Sequence, residues 1–232
     1  MTENKNLPKV GVIGSGSFAT AVVKMLMENC EKVHWLLRND GTREALVSQG
    51  SNPHYLTAVK FNPDRLVLTM DINELVTACD VIILATPSIY LADTIEKITC
   101  DYSGKIFASV IKGIVPKHND IVANYLRDTF NIGYRNQAVL AGPCHAEEVA
   151  MERLSFLTVA AASKETTQML SDLLSSRYIR INQSNDILGN EYSAVLKNIY
   201  AIGAGMANGL GYGDNFQAVY ISNAVRELER IL

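Results

Sequence analysis

The chain has 232 residues, of which 48% are hydrophobic and 19% charged, and its formal net charge is −3 at pH 7. This length and apolar content support a sizeable buried core and exclude a disordered chain. Charges of both signs are interspersed without a basic run, so a nucleic-acid partner is disfavoured. No stretch approaches the ~20 apolar residues that cross a bilayer, and residues 1–6 lack the apolar core of a signal peptide. The composition therefore predicts a soluble, cytoplasmic protein.

The segment of residues 9–19 carries the strongest single motif. A short apolar run, Val10-Gly11-Val12-Ile13, leads through Gly14-Ser15-Gly16 into a helical pattern. A strand that feeds a helix through such a turn aims backbone N–H groups and the positive helix end at one point, which suits a pyrophosphate. Ala19 stands in place of a third glycine, where a small residue suffices. The motif predicts a dinucleotide site.

Further apolar runs alternate with helical stretches along the chain. The predicted strands are residues 10–13, 33–37, 66–68, 81–85, 106–111, 139–141 and 156–160. This alternation predicts a Rossmann-type, doubly wound and mostly parallel sheet with helices on both faces. Ligands bind such sheets beyond the carboxyl ends of the strands. The residues that follow the strands there are Gly14-Ser15-Gly16, Arg38-Asn39, Thr86-Pro87-Ser88, Lys112-Gly113 and Gly142-Pro143-Cys144-His145.

The composition changes after about Asp186. Residues 190–223 have a helical pattern rich in glycine and alanine, without a strand candidate. We therefore expect a dinucleotide-binding domain over residues 1–186 and the beginning of an all-α domain over residues 187–232. The amphipathic pattern of residues 221–232 reaches the last residue with neither a C-cap glycine nor a following loop, which predicts an incomplete helical domain.

Lys197 lies in the first predicted helix of this second region. At about 100° per residue it shares a stripe with small and polar residues, while bulky apolar residues gather on the other side. The stripe contains Asn190, Ser193, Ala201, Ala204 and Asn208, and the opposite side contains Tyr192, Val195, Ile199, Ile202 and Met206. Glycines from Gly203 onward suit the close approach of a ligand and predict a helix end near Asn208. A solvated face is the alternative interpretation, but the small neighbours favour a functional ammonium.

Several motifs occur together in an order typical of one family. They are Gly14-Ser15-Gly16-Ser17-Phe18-Ala19-Thr20-Ala21, Ala85-Thr86-Pro87-Ser88, Ile111-Lys112-Gly113-Ile114, Gly142-Pro143-Cys144-His145-Ala146-Glu147-Glu148, Gly189-Asn190-Glu191, Leu196-Lys197-Asn198-Ile199-Tyr200-Ala201-Ile202 and Asn208-Gly209-Leu210-Gly211-Tyr212-Gly213-Asp214-Asn215. By these motifs the chain resembles the NAD(P)-dependent glycerol-3-phosphate dehydrogenases over its whole length. The resemblance implies an oxidoreductase that interconverts sn-glycerol 3-phosphate and dihydroxyacetone phosphate for glycerophospholipid synthesis.

The resemblance also implies a set of site residues. The cofactor would contact Gly14, Ser15, Gly16, Ser17, Phe18, Arg38, Lys112 and Ala146, and the substrate would contact Lys112, Gly142, Cys144 and Lys197. Lys197 would be the catalytic acid/base. This role agrees with the chemistry, because a ketone oxygen that gains negative charge during hydride transfer needs a nearby proton donor.

Two features depart from the family pattern. Cys144 stands where the family places serine or threonine, which leaves the backbone N–H for a polar contact. The family also continues well beyond Leu232, through segments that supply an aspartate and an arginine to the site. The resemblance therefore implies an enzymatic parent, and a 232-residue chain that binds nucleotide weakly with little or no activity.

The choice of cofactor depends on Arg38. NAD-preferring sites commonly end the second strand with Asp or Glu, whereas Arg38-Asn39 stands there. A guanidinium can hold a 2′-phosphate, so NADPH is favoured over NADH, which is tolerated. No metal is expected, since the four histidines lack ligand spacing, and the widely spaced Cys30, Cys79, Cys100 and Cys144 indicate reduced thiols.

Two other functions stay open on the sequence. A related Rossmann-plus-helical reductase of 2-keto or hydroxy acids, of the ketopantoate type, can also use a lysine acid. A non-catalytic nucleotide-sensing module would explain the missing distal segments but gives Lys112 and Lys197 no purpose. The oligomeric state is not decided, and a homodimer stays open.

Overall fold

The computed structural model describes residues 7–232, so residues 1–6, the segment tested for a signal peptide, lie outside the described residues. The strands are β1 (Val10–Ile13), β2 (Val33–Leu36), β3 (Leu66–Thr69), β4 (Val81–Leu84), β5 (Ile106–Ser109), β6 (Gln137–Ala141), β7 (Ser155–Ala161) and β8 (Ile179–Ser184). The helices are α1 (Ser17–Leu26), α2 (Asp40–Gln49), α3 (Ile72–Ala78), α4 (Ser88–Ile95), α5 (Val122–Phe130), α6 (Ala146–Ala150), α7 (Lys164–Leu174), α8 (Ile187–Gly209) and α9 (Asp214–Ile231).

The strands form one sheet in the order β3-β2-β1-β4-β5-β6-β7-β8. Neighbouring strands from β3 to β6 are parallel, β7 is antiparallel to β6, and β8 is parallel to β7. The strand order reverses at β1, which lies between β2 and β4, and this reversal is the switch point where doubly wound sheets bind ligands. The predicted Rossmann-type, mostly parallel fold is confirmed.

The seven predicted strands are present with ends shifted by a residue or two, but the sequence pattern does not mark β8. This strand reads Ile-Arg-Ile-Asn-Gln-Ser and lies at the edge of the sheet, where much of it is exposed. An edge strand with an exposed face alternates apolar and polar residues. A search for continuous apolar runs therefore misses it.

Two apolar clusters cover the opposite faces of the sheet. One contains Val12 and Ile83 together with the buried side of α1, and the other contains Ile13 and Leu84 together with α4 and α5. Adjacent residues of β1 and β4 thus alternate between two buried faces. This double burial explains why these strands read as unbroken apolar runs.

Helices α8 and α9 form a hairpin at the end of the chain. The carboxylate of Asp186 caps α8 by accepting the Gly189 N–H at 2.8 Å, and α8 ends at Gly209, as predicted within one residue. The first turns of α8 pack against β6 and β7, but the exposed fractions of Ile199, Ile202 and Met206 are 60%, 65% and 65%. The predicted domain division at Asp186 coincides with the start of α8 and stays a prediction.

Two negative findings hold for the part of the chain that the structure describes. Within residues 7–232 no helix combines the length and the hydropathy needed to cross a membrane. Over the same range, no three His, Cys, Asp or Glu side chains come together as a group that could hold a metal ion.

Candidate active site

The loop between β1 and α1 has the backbone shape that a pyrophosphate contact requires. Gly14 has a φ of +126°, and a Cβ built on it would lie 2.4 Å from the carbonyl oxygen of Ala85. Gly16 is the N-cap of α1, and a Cβ there would meet no described atom within 4 Å. The first turn of a helix leaves its N–H groups without intrahelical partners. The loop therefore combines an obligatory glycine turn with open space in front of free backbone donors.

Three buried side chains hold this loop in place, and two of them, Trp35 and Asn52, lie outside the glycine motif. Trp35 on β2 donates from Nε1 to the carbonyl oxygen of Gly14 at 2.6 Å. Asn52 donates from Nδ2 to the carbonyl oxygen of Ser15 at 3.1 Å and to Thr20 Oγ1 at 2.9 Å. The Thr20 hydroxyl in turn donates to the carbonyl oxygen of Gly16 at 2.9 Å. Three successive carbonyl groups are thereby fixed.

Neither Trp35 nor Asn52 is marked by a motif in the sequence. The one available signal for Trp35 is chemical, because an indole in a buried strand needs a partner for its N–H. Asn52 has no comparable signal, since its role depends on a turn that brings it to the loop from 32 residues beyond Thr20.

A cavity of about 470 Å³ lies along the carboxyl ends of β1, β2 and β4. Its lining includes the Gly14-Ser15-Gly16 loop, Arg38, Thr86 and Tyr90. The Arg38 guanidinium lies 5.5 Å from the centroid of the Tyr90 ring. The Thr86 Oγ1 atom is buried and finds no hydrogen-bond partner among residues 7–232. A buried hydroxyl without a partner at a cavity wall is a group that a ligand would satisfy.

Lys112 and Lys197 come from different parts of the chain and interact in the structure. Lys112 follows β5, is half-buried, and holds its Nζ atom 5.4 Å from the centroid of the Phe18 ring in the first turn of α1. Asn198, next to Lys197 on α8, donates from Nδ2 to the carbonyl oxygen of Lys112 at 3.2 Å. Burial lowers the pKa of Lys112, and the positive charge of Lys197 lowers it further. Lys112 therefore lies next to the first turn of α1, and Lys197 is close enough for its charge to act on Lys112.

The loop after β6 carries the other predicted substrate residues. Gly142 has a φ of +124°, and a Cβ on it would lie 2.9 Å from the carbonyl oxygen of Phe156, so this turn requires glycine. Cys144 is only 2% exposed, and burial raises the pKa of its thiol to about 11 while Lys112 acts in the opposite direction. Ala146 at the start of α6 is 6% exposed and offers little surface to a ligand.

The backbone N–H of Cys144, which the sequence leaves for a polar contact, has a partner within its own loop in this structure. That N–H donates to the carbonyl oxygen of Gly142 at 3.0 Å, which closes a tight three-residue turn centred on Pro143. Cys144 thus lies near Lys112 as a packed thiol whose polar backbone group is already used.

Glu191 is a buried carboxylate to which the sequence motifs assign no role. It is 0% exposed on α8, and its Oε1 and Oε2 atoms accept the N–H groups of Val122 at 3.1 Å and Ala123 at 3.0 Å. Burial raises the pKa of Glu191 to about 7, although the two N–H bonds act to lower it, and the nearby Asp120 raises it slightly more. The signal in the sequence is a carboxylate placed between the apolar residues of one helix face, because acidic side chains are rarely buried without partners.

Comparison with known families identifies the chain. A family model described as the N-terminus of NAD-dependent glycerol-3-phosphate dehydrogenase matches residues 9–167, and the model of its C-terminus matches residues 186–232. The chain belongs to this family. The resemblance found in the sequence motifs is thereby confirmed.

Curated relatives agree with this assignment. The glycerol-3-phosphate dehydrogenase (NAD(P)+) of Latilactobacillus sakei is 33% identical over 228 residues, which cover 96% of this chain and 66% of the relative. The enzyme of the same name from Pseudomonas fluorescens is 34% identical over 230 residues, which cover 99% of this chain and 66% of the relative. The chain thus spans slightly less than two thirds of the length of these relatives.

Solved structures show the same relationship. A Plasmodium falciparum glycerol-3-phosphate dehydrogenase superposes with a TM-score of 0.86 at 26% identity, covering 96% of this chain and 65% of the other. The Saccharomyces cerevisiae enzyme gives a TM-score of 0.82 at 25% identity, covering 97% and 70%. An imine reductase from Myxococcus stipitatus, at 13% identity and a TM-score of 0.57, shares the fold alone.

Proposed function

We propose that this chain carries the nucleotide-binding and proton-transfer part of a glycerol-3-phosphate dehydrogenase. The reaction interconverts dihydroxyacetone phosphate and sn-glycerol 3-phosphate with NAD(P)(H). The observation that carries the proposal is Lys112, which lies against Phe18 in the first turn of α1 and is joined through its carbonyl oxygen to Asn198, the neighbour of Lys197 on α8. The relatives carry this activity in their names. A role in glycerophospholipid synthesis and a cytoplasmic location belong to the same proposal.

The residues of the cavity fit a nicotinamide dinucleotide. The open space at Gly16 and the first turn of α1 would hold the pyrophosphate, and Thr86 would gain the partner that its buried hydroxyl lacks among the described residues. Arg38 lines the cavity and would pair with a 2′-phosphate, which favours NADPH over NADH. When bound, the nicotinamide supplies or accepts the hydride.

The two lysines divide the remaining chemistry. As a hydride reaches C2 of the ketone, its oxygen gains negative charge, and Lys197 donates a proton from Nζ to that oxygen. In the oxidation direction the neutral amine of Lys197 takes the same proton back. Lys112 is held by the contact of its Nζ with Phe18, and its charge attracts the phosphate of the substrate. Lys112 and Lys197 together make this corner suited to a dianionic phosphoester.

The experiment measures binding and turnover separately. Calorimetry with the 232-residue chain is expected to show weak NADPH binding, and an assay of NADPH oxidation is expected to show little turnover. A fusion in which the chain continues into the C-terminal third of the Latilactobacillus sakei relative is expected to reduce dihydroxyacetone phosphate. A folded fusion that binds NADPH but does not reduce this ketone would overturn the proposal.

Lys197→Met in the fusion tests the proton donor. Turnover is expected to fall about 10²–10⁴-fold, the usual contribution of a positioned acid, while NADPH affinity is unchanged. Lys164→Met, on an exposed position of α7, is the control and is expected to leave both quantities unchanged.

A faster reaction of the fusion with ketopantoate than with dihydroxyacetone phosphate would favour the keto-acid reductase alternative.

A further inference from the structure

We infer that Glu191 is a positioning residue that sets the distance between Lys197 and Lys112 by attaching α8 to the N-terminus of α5. The inference rests on the proposed function of the lysine pair. Glu191 contacts neither lysine in the structure, and its described partners are the N–H groups of Val122 and Ala123. It therefore acts through the position of a helix.

The packed face of α8 places Glu191 at the contact between the helical hairpin and the sheet. Ile187 belongs to a buried apolar cluster with Ala123 of α5, Val139 of β6 and Ala160 of β7, and Val195 packs against the same cluster. Glu191 lies between Ile187 and Val195 on this face, where an apolar side chain would be ordinary. A fully buried carboxylate in such a place needs specific partners to offset the loss of hydration.

The N-terminus of α5 supplies those partners. Val122 and Ala123 are the first two residues of α5, and their N–H groups have no intrahelical acceptor. Each carboxylate oxygen of Glu191 accepts one of them, so both the lateral position and the rotation of α8 are specified. Gln137 of β6 donates from Nε2 to the carbonyl oxygens of Ala123 at 3.0 Å and Ile132 at 2.6 Å, which joins the first turn of α5 and the segment after α5 to the sheet.

Glu191 and Lys197 lie on the same helix, so the position of Glu191 also sets the position of Lys197. Lys197 follows Glu191 by six residues, which is about 9 Å along the helix axis. Beyond Val195 the described contact of α8 with the Lys112 loop is the bond from Asn198 to the carbonyl oxygen of Lys112. A small rotation of α8 about Glu191 therefore moves Lys197 relative to Lys112, and displacements of about 1 Å are costly in catalysis.

The experiment uses the full chain and follows Lys112 as a local sensor of Lys197. Carbon-13 labelling of lysine side chains and titration by NMR give the pKa of Lys112, with Lys112→Arg to assign its resonance. Since the charge of Lys197 lowers this pKa, Glu191→Gln and Glu191→Ala are expected to raise it as Lys197 moves away. The pKa is expected to rise because the neighbouring positive charge, which disfavours the protonated amine of Lys112, acts more weakly as the two amines separate. Amide exchange at Val122 and Ala123 is expected to accelerate in the same variants.

Two controls separate positioning from a general loss of stability. Leu170→Ala removes a buried side chain of α7 and destabilises the protein without touching α8, so the pKa of Lys112 is expected to stay unchanged. Glu165→Gln changes an exposed carboxylate in the first turn of α7 and is expected to change neither readout.

An unchanged Lys112 pKa in folded Glu191→Gln would overturn the inference. If Glu191→Ala does not fold, the pKa of Lys112 is measured in Glu191→Gln alone, because glutamine keeps the shape of the side chain. Fast exchange of the Val122 and Ala123 amides in the unsubstituted chain would overturn it as well. Neither readout needs cofactor or turnover, so a failure of the proposed dehydrogenase function is recognised separately.

Discussion

The dinucleotide loop and the lysine pair are held in place by different means. In the loop, three successive carbonyl groups accept hydrogen bonds from Trp35, Asn52 and Thr20. Lys197 instead lies on a helix that leaves the sheet, and the described attachments near it are Glu191 and the bond from Asn198. The proposed nucleotide-binding half of the site is thus built into the core of the sheet, whereas the proposed proton-transfer half depends on how one helix packs against the sheet.

The largest expected effect comes from the loop, through Gly14→Ala. A Cβ at Gly14 would lie 2.4 Å from the Ala85 carbonyl oxygen at a φ of +126°, and backbone atoms cannot yield cheaply. The free energy of unfolding is expected to fall by about 3 kcal/mol or more, with loss of NADPH binding. Urea unfolding and calorimetry measure the two effects.

Gly16→Ala is the matched control for this change. Its Cβ would meet no described atom within 4 Å, so the free energy of unfolding is expected to fall by no more than about 1 kcal/mol, the cost of alanine in place of glycine at an N-cap. NADPH binding is still expected to weaken, because the methyl group occupies the space in front of α1. Equal stability of the two alanine variants would contradict an obligatory turn at Gly14.

The attachment of α8, the helix that carries Lys197, is tested by the pH dependence of the free energy of unfolding. The pKa of Glu191 is raised to about 7 in the folded protein, above its unfolded value near ~4.3. The protonated side chain of Glu191 therefore stabilises the folded protein fully below about pH 4. This stabilisation is lost as the pH rises through about 7. The free energy of unfolding is expected to fall by up to about 3 kcal/mol over this interval, relative to Glu191→Gln.

Denaturant unfolding of both proteins at several pH values between 4 and 8 measures this difference. The comparison with Glu191→Gln removes the opposite effect of Asp101, Asp128 and Glu165, whose lowered pKa values make the protein lose stability as the pH falls. A difference that does not vary with pH would show that Glu191 keeps an ordinary pKa.

Asn52→Ala tests the supports of the loop and has a smaller expected effect. It leaves the carbonyl oxygen of Ser15 and the Thr20 hydroxyl without their donor, which costs about 1–3 kcal/mol in unfolding free energy. NADPH affinity is expected to fall because the loop loses its fixed shape. Asn62→Ala, at an exposed cap of a short 3-10 turn, is the control and is expected to leave NADPH affinity unchanged. Tight NADPH binding by Asn52→Ala would show that the loop is rigid without this support.

The smallest expected effect sharpens the choice of nucleotide. Arg38→Ala is expected to weaken NADPH binding about tenfold, because a 2′-phosphate loses a charged partner, and to leave NADH binding nearly unchanged. Arg43→Ala, on the exposed side of α2, is the control for net charge. An equal loss for both nucleotides would exclude a 2′-phosphate contact.

More of the fold than of the site could be predicted from the sequence. Strands buried on both faces are visible as apolar runs, and the strand–glycine–helix pattern predicts where β1 meets α1. The edge strand β8 could not be found in this way, because its exposed residues interrupt the apolar run. The proximity of Lys112 and Lys197 was implied by family resemblance alone, since no spacing links residues 85 positions apart.

By itself, the sequence determined the local elements and the chemistry at their ends: the Rossmann alternation, the glycine turn, and the amines at positions 112 and 197. These features depend on side-chain periodicity and backbone freedom, which are properties of short segments. Only the tertiary structure decided that Trp35 and Asn52 support the loop, that the Cys144 N–H is already used, and that Glu191 joins α8 to α5. Hydrogen bonds of this kind join residues distant in the chain, and they exist only once packing has brought donor and acceptor together.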